Sequence, residues 1–354
     1  MTRFRHKRSV FTRCAIVLVL AFASQAPTTL AATITVDPHG SGDHLNIQDA
    51  LFAAQHGDEV VVMPGVYLEN LIMTSGVRLS SFEGPEHTII DGQGRKCFEA
   101  AQCAPGTAVV GFTVTNGGSM QGGAFWIFDN SYLEIADNVI SNCRVGYEGA
   151  GAHVQRYSYA NIHGNQFNNN SSPMTAAISV IVHSSADIRS NVFRENSSEN
   201  RGAAIGVHES HVEVVDNFFA DNKGGVTTGN VDFYKASGLV SNNVFLGNTG
   251  TEAGASCVAI RHAGSRVTVV RNVFANNLGG PALLTIACQA VSCNIFWGNT
   301  SNYAGLCPPI GQNNNIEADP RLCAEHPGFL MTDSPGRAIK CGPIGFSNCS
   351  ECDH

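Results

Sequence analysis

Apolar and polar positions in this chain recur in a long, regular beat. The clearest mark is Asn-x-Phe-x-x-Asn, present as Asn165-Gln-Phe167, Asn191-Val-Phe193, Asn217-Phe-Phe219, Asn243-Val-Phe245, Asn272-Val-Phe274 and Asn294-Ile-Phe296, each with a second Asn three residues after its Phe. Weaker copies centre on Val114 and Ile140, so successive anchors are 26, 27, 26, 26, 26, 29 and 22 residues apart. A period of this length denotes a solenoid of stacked coils.

Five residues before each anchor from Ile140 to Phe274 stands a β-branched residue: Ile135, Ile162, Ile188, Val214, Val240 or Val269. The position before it is mostly polar, as in Glu134, Asn161, Asp187, Glu213 and Thr268. This alternation predicts a half-buried strand, and no apolar stripe of helical period runs through the units. A second alternating stretch follows about a dozen residues after the anchor, at Ala152 and Val154, Ile178 and Val180, Ile205 and Val207, Val231 and Phe233, and Val258 and Ile260. Each coil therefore holds at least two strands joined by Asn- and Gly-containing turns. The recurrent Asn reads as a ladder whose amides bond the like groups above and below while tolerating a left-handed backbone.

A solenoid must cover its ends. Ile47, Ala50, Leu51 and Ala54 have helical spacing behind Asn46, a suitable N-cap, and predict a short amphipathic lid. The expected fold is all-β, a right-handed parallel β-helix with an N-terminal capping helix. Its expected divisions are a signal peptide over 1–32, the β-helix with its cap over 33–306, and a cysteine-containing closing segment over 307–354. The first of these rests on Arg3, Arg5, Lys7, Arg8 and Arg13, the uncharged run from Cys14 to Ala23, and the small residues Ala31 and Ala32. The run is too short to span a membrane, and Cys14 stands at its start and not after it, unlike the usual lipid-anchor arrangement. The expected location is secreted or periplasmic.

Composition agrees with a solenoid: 37 Gly and only 14% charged residues. The net charge of −8 argues against sequence-independent nucleic-acid binding, which requires a basic face. Eleven of the 12 cysteines follow Cys14, an odd number that leaves at least one thiol unpaired within the chain. Cys97 and Cys103, Cys288 and Cys293, and Cys349 and Cys352 are neighbours in sequence, but spacing does not give connectivity. Cys341, Cys349, Cys352 and His354 form an alternative zinc set, against which a disulfide-stapled tail is the simpler expectation.

The segments Ile34-Thr-Val-Asp-Pro, Gly40-Ser-Gly-Asp, Ile47-Gln-Asp-Ala, Gly57-Asp58 and Pro64-Gly-Val-Tyr67-Leu-Glu69-Asn70 resemble the N-terminal region of pectinesterases, within the pectin lyase-like superfamily. The Asn-x-Phe coils resemble repeats of periplasmic and carbohydrate-binding members. The stretch from Asp319-Pro320 to Gly345 resembles the end of bacterial secreted β-helix proteins of unassigned function. Gly229-Asn-Val-Asp232-Phe233 resembles the pectinesterase segment whose Asp attacks the ester. That family's Gln-Asp pair is replaced here by Glu209-Ser-His211-Val, and its Leu-Gly-Arg-Pro-Trp segment has no counterpart. The Asp-Asp, Gly-His-Gly and Arg-Ile-Lys motifs of polygalacturonases and the Arg-x-Pro-x-x-Arg of pectate lyases are also absent.

One face concentrates ionisable groups on five consecutive coils: His153, Gln155 and Arg156; His183; His208 and Glu209; Asp232, Tyr234 and Lys235; Arg261 and His262. His153, Arg156, His183, His208, Tyr234 and His262 are candidate substrate-binding residues, and Asp232, Lys235, Arg261 and Glu209 candidate catalytic ones. Lys235 or Arg261 would be the base of a lyase, Asp232 and Glu209 would hold Ca²⁺ or substrate, and His208 or His262 would serve as alternative acid or base. The plainer reading makes these outward residues solvated surface, and makes single histidines such as His163 structural. Two functions follow: binding of extracellular or envelope polysaccharide without a complete catalytic motif, or a lyase-like enzyme acting on uronic-acid polymers. Pectin methylesterase is the minor alternative.

Overall fold

The computed structural model describes residues 31–286, 289–305, 313–323, 329–338, 341 and 344. The expected signal peptide lies outside the described residues apart from its last two positions. So do Cys288, much of the 307–354 segment, and Cys349, Cys352 and His354 of the alternative zinc set.

The described chain is an all-parallel β-helix of about ten coils. One coil shows the plan. Tyr159–His163 belongs to sheet I, Gln166–Asn168 to sheet II, Ser171–Ser172 to a short sheet IV, and Ile178–Ile181 to sheet III. Sheets I and II each have 11 strands, sheet III has 10 and sheet IV has 4. The two strands read from the alternation are those of sheets I and III. The anchor Phe sits in a further strand of only three residues, too short for alternation to reveal.

Register stacks like upon like. Ile135, Ile162, Ile188, Val214, Val240 and Val269 face one another on successive coils and are fully buried. Phe167, Phe193, Phe219, Phe245, Phe274 and Phe296 form a continuous stack with ring centroids 4.6–5.1 Å apart. That spacing is the strand separation of a sheet. Each buried ring contributes about 1.5–3 kcal/mol through removal from water.

Asn138, Asn165, Asn191, Asn217, Asn243, Asn272 and Asn294 form a buried ladder at the corner between sheets I and II. Each backbone N–H donates to the next Oδ1 at 2.9–3.0 Å, and each Nδ2 donates to that same oxygen and to a carbonyl of a preceding coil. Asn170, Asn196, Asn222, Asn248 and Asn277 repeat the arrangement after sheet II. The left-handed residue of each turn is not the ladder Asn, as the sequence suggested, but its predecessor, for example Asp137, Ser190, Asp216, Asn242 and Arg271. The preceding residue makes the corner, which frees the Asn amide to satisfy buried backbone groups. A third corner carries a serine ladder, with Ser131, Ser158 and Ser184 each donating N–H to the next Oγ at 3.1–3.2 Å.

Helix α1 spans Ile47–Ala53, and Asn46 Oδ1 accepts the Asp49 N–H at 2.9 Å. Glu69 accepts the N–H groups of Ile47 and Gln48 at 2.9 and 3.0 Å, so two otherwise orphaned helical donors are satisfied. Ile47, Ala50 and Leu51 join the main core. In the C-terminal segment, Leu330 and Ile344 pack with Phe218, Val244, Val273 and Ile295, the outward residues of sheet II. Cys341 is disulfide-bonded to Cys293, 48 residues earlier in the chain. Cys97, Cys103, Cys143 and Cys257 are buried thiols, and Cys97 and Cys103 are not bonded to each other.

Candidate functional site

The face singled out in the sequence is the outer side of sheet III and the turn that follows it. Trp126, His153, Ser179, Gly206, Asp232 and Ala259 face one another on successive coils. Two residues further on, Ile181, His208 and Tyr234 form a second row.

From His153 onward the first row is not solvated. Segments entering its strands pass over it at Glu148 and Thr175, which pair in a parallel bridge. Missing side chains allow the close approach. A Cβ on Gly149 would lie 2.8 Å from the His153 Cβ, and one on Gly206 would lie 2.3 Å from the Thr175 Oγ1. His153 and Ser179 are consequently fully buried, and Asp232 is 2% exposed. His153 therefore faces no groove, against the expectation that it binds substrate. Neither of its ring nitrogens has a hydrogen-bond partner of good geometry among the described residues, and burial, opposed only weakly by the neighbouring Gln155 side chain, pushes its imidazole down to about 4.

Between this floor and the overlying segment runs a narrow cleft lined by Glu148, Ser179, Arg201, His208, Asp232 and Tyr234. Burial raises the Glu148 carboxyl, opposed by a 3.2 Å bond from the Ser179 hydroxyl and by the Arg201 charge. Burial and the Arg201 charge together lower His208. Asp232 is held by Arg261 from the next coil, with Nε–Oδ1 2.6 Å and Nη2–Oδ2 2.7 Å. Burial works against the Arg261 charge, but the two bonds to Asp232 prevail and raise its pKa.

The turn beyond the second row opens into a groove of about 580 Å³ lined by His183, Glu209, His211, Lys235, Gly264 and Arg266, with the serine ladder at its base. Lys235 Nζ lies 3.2 Å from Glu209 Oε1, and this bond and charge hold the Glu209 carboxyl below its usual range. His183, Glu209 and Lys235 all adopt left-handed backbone, φ +57°, +49° and +51°, in this corner of consecutive coils. Rings continue the row: Tyr157 stacks on His183, and Tyr234 makes edge contacts with both His208 and His262. The His262 Nδ1 accepts the Gly264 N–H at 3.0 Å. Arg156 lies one coil earlier, paired with Asp129 at 3.2 Å, and is not part of the groove lining.

The structure thus divides the expected site in two. Asp232, His208 and Tyr234 line the cleft, with Arg261 bound to Asp232. His183, Glu209 and Lys235 line the groove. Both Asp232 oxygens are bonded to Arg261, and Glu209 shares one of its two oxygens, Oε1, with Lys235. Among the described residues no group of three His, Cys, Asp or Glu side chains is placed to hold a metal ion. His163, expected to be structural, points from sheet I to Glu134 at 3.2 Å.

Four residues of this region were not singled out in the sequence. His211 and Arg266 begin sheet I strands and share one outward row with Tyr159, Ser185 and Ser237. Extending the register three residues past the turn would have found them. Glu148 ends a sheet IV strand and Arg201 lies in a connecting segment, both outside the alternating pattern, and only the fold brings them to sheet III.

No family model and no curated protein matches this chain. Among solved structures it is similar to a pectin methylesterase from carrot, at 11% identity and TM-score 0.38 over 83% of this chain and 91% of that one. The A-module of a mannuronan C-5 epimerase from Azotobacter vinelandii matches at 13% identity and TM-score 0.33, over 77% and 92%. The catalytic unit of an α-1,3-glucanase from Streptomyces thermodiastaticus matches at 13% identity and TM-score 0.36, over 77% and 64%. Likeness at this level identifies no acting residue in this chain.

Proposed function

We propose that this protein binds an extended polysaccharide along the groove beside sheet III, and that it does so outside the cytoplasm. The observation that carries the reading is the register of the groove. His183, Glu209 and Lys235 come from consecutive coils, so a ligand touching all three must run along the solenoid axis and present contacts about every 4.8 Å. A polymer meets that condition. Tyr157, Tyr234, His183 and His262 add ring surfaces suited to the apolar faces of sugars. The Cys293–Cys341 disulfide fits an oxidising compartment, as would a signal peptide over residues 1–32. Among the described residues no helix is long and apolar enough to cross a membrane.

The state of the charged groups favours binding over elimination chemistry. A lyase base must give up its proton, but Lys235 and Arg261 are each engaged as cations by a carboxylate. Both oxygens of Asp232, the methylesterase nucleophile implied by resemblance, are bonded to Arg261 in a nearly closed site. The test is to titrate purified protein with polysaccharide fragments by calorimetry while following ultraviolet absorbance for unsaturated products. Saturable binding without product is expected; product formation would replace this reading with a lyase, and absence of any binding would end it.

A further inference from the structure

His153 is fully buried on the outer side of sheet III, with no well-placed partner for either ring nitrogen among the described residues. On its row it faces Trp126, whose indole N–H can only donate, and Ser179, whose hydroxyl is turned to Glu148 Oε2 at 3.2 Å. Gly149 lies against it from outside, so close that a Cβ there would sit 2.8 Å from the His153 Cβ. The Gln155 side chain supports it only weakly. The charged groups around the row are engaged elsewhere. Glu99, two coils earlier, pairs with Lys96 at 3.3 Å, Asp232 is held by Arg261, and the Arg201 charge acts on Glu148 and His208. An imidazolium at this position would be a buried charge without a counter-ion, which a closed structure does not retain.

The segment outside His153 is lightly held. Arg144–Glu148 is a strand of the short sheet IV. Its register with the preceding coil is interrupted between Ser119 and Gln121, and with the following strand it makes one ladder pair, Arg144 with Ser171. Bonds to that coil resume at Tyr147, whose carbonyl accepts the Met174 N–H at 2.9 Å, and at Gly149, which donates to the Thr175 carbonyl at 2.7 Å. Here the chain passes from solvent to core, Tyr147 being exposed and Ala150 fully buried. Gly149, at φ +72°, is the pivot of that change. Few bonds and an exposed outer side mark a segment that opens at lower cost than the coils beneath it.

We propose that protonation of His153 lifts Tyr147–Gly149 from sheet III, so that acid opens the covered row to solvent while the coils stay folded. The proton comes from water and goes to the ring nitrogen that lacks one, and no covalent bond between heavy atoms changes. In the closed form burial holds the imidazole down to about 4, whereas a solvated histidine titrates near 6.5, so proton uptake favours the open form as pH falls. Glu148 works in the opposite sense, because burial raises its carboxyl and the closed form keeps that proton more readily. Acid opening is independent of what the adjoining groove binds. It governs access to the narrow cleft that Glu148 and Ser179 line.

Native-state hydrogen exchange of the full chain, corrected for intrinsic rates, tests this between pH 7.5 and 4.5. The reporters are the amides of Gly149 and Met174, with the ladder amide of Asn217 as reference. In Glu148→Gln, where His153 titrates without its opponent, opening at the reporters is expected to rise about 70-fold, the ratio implied by values of about 4 and 6.5 in the two forms. The wild type should gain less, and Glu148→Gln combined with His153→Leu should gain nothing. Trp126, beside His153 on the row, gives a second readout in an otherwise unaltered site: in Trp297→Phe its quenching by acrylamide should rise over the same range. A gain below about threefold in Glu148→Gln, or an equal gain with Leu at 153, would overturn the proposal. Equal loss of protection at Asn217 would also overturn it, since the coils would then be unfolding together with the segment that covers them.

Discussion

Arg261 closes on Asp232 through two parallel hydrogen bonds of 2.6 and 2.7 Å that tie one coil of sheet III to the next. The carboxylate is almost entirely buried and the guanidinium largely so. Removing Arg261 leaves a charge without compensation, which typically costs about 3–5 kcal/mol. Arg261→Met is therefore expected to lower unfolding stability by that order in urea titrations, and Asp232→Asn in the same background should restore part of it. A cost for Arg261→Met below about 0.5 kcal/mol would show that Asp232 is solvated and free to act on a ligand.

The asparagine ladder should behave as a set of obligatory bonds. Asn217 donates to Asn243 and to the carbonyls of Ile188 and Val215, and its Oδ1 accepts both the N–H and the Nδ2 of Asn191. Asn217→Ala strands several of these groups away from water, at about 1–3 kcal/mol per group left unpaired. The exposed Asn169, whose side chain bonds only Asn142 along the outer surface and whose backbone is left-handed at φ +53°, should tolerate Gly with little change. Chemical denaturation of the two variants side by side checks the contrast, and equal effects would mean the ladder is not a source of stability.

Acid sensitivity should trace in part to His153. Its folded pKa of about 4 lies below the ordinary 6.5, so the unfolded chain takes up the proton first. Stability is fully present above 6.5 and is lost as pH falls towards 4, by about 3 kcal/mol from this group. His153→Leu should flatten the wild-type decline in unfolding free energy between pH 7 and 4.5. Glu148, whose pKa is raised, acts in the opposite direction and remains in both proteins, so the difference between them isolates His153. Identical pH dependence would place an exposed or protonated imidazole at position 153.

Gly206 and Thr175 should be coupled. A methyl group at 206 would meet Thr175 Oγ1 at 2.3 Å and Cγ2 at 2.9 Å, forcing the overlying segment away from sheet III. Gly206→Ala is expected to cost about 1–3 kcal/mol. Thr175→Ala in the same protein should recover most of that cost and show a non-additive cycle. Additive effects would mean the segment does not press on Gly206.

The sequence by itself determined the coil. Its period is written in Asn-x-Phe-x-x-Asn, its inward faces in Ile135 to Val269, and the start of its helix in Asn46, because each of these is a local choice repeated at fixed spacing. The short strand holding Phe167 was hidden because three residues carry no alternation, and the left-handed positions were hidden because Asp137, Ser190 and Arg271 share no residue type. Tertiary structure alone decided which outward residues meet water. Stacking in register put His183, Glu209 and Lys235 beside His211 and Arg266, which lie across a corner from them. The packing of neighbouring segments over sheet III buried His153 and Asp232. Polar alternation marks the side of a strand that leaves the core, but whether another segment covers that side depends on contacts between distant parts of the chain.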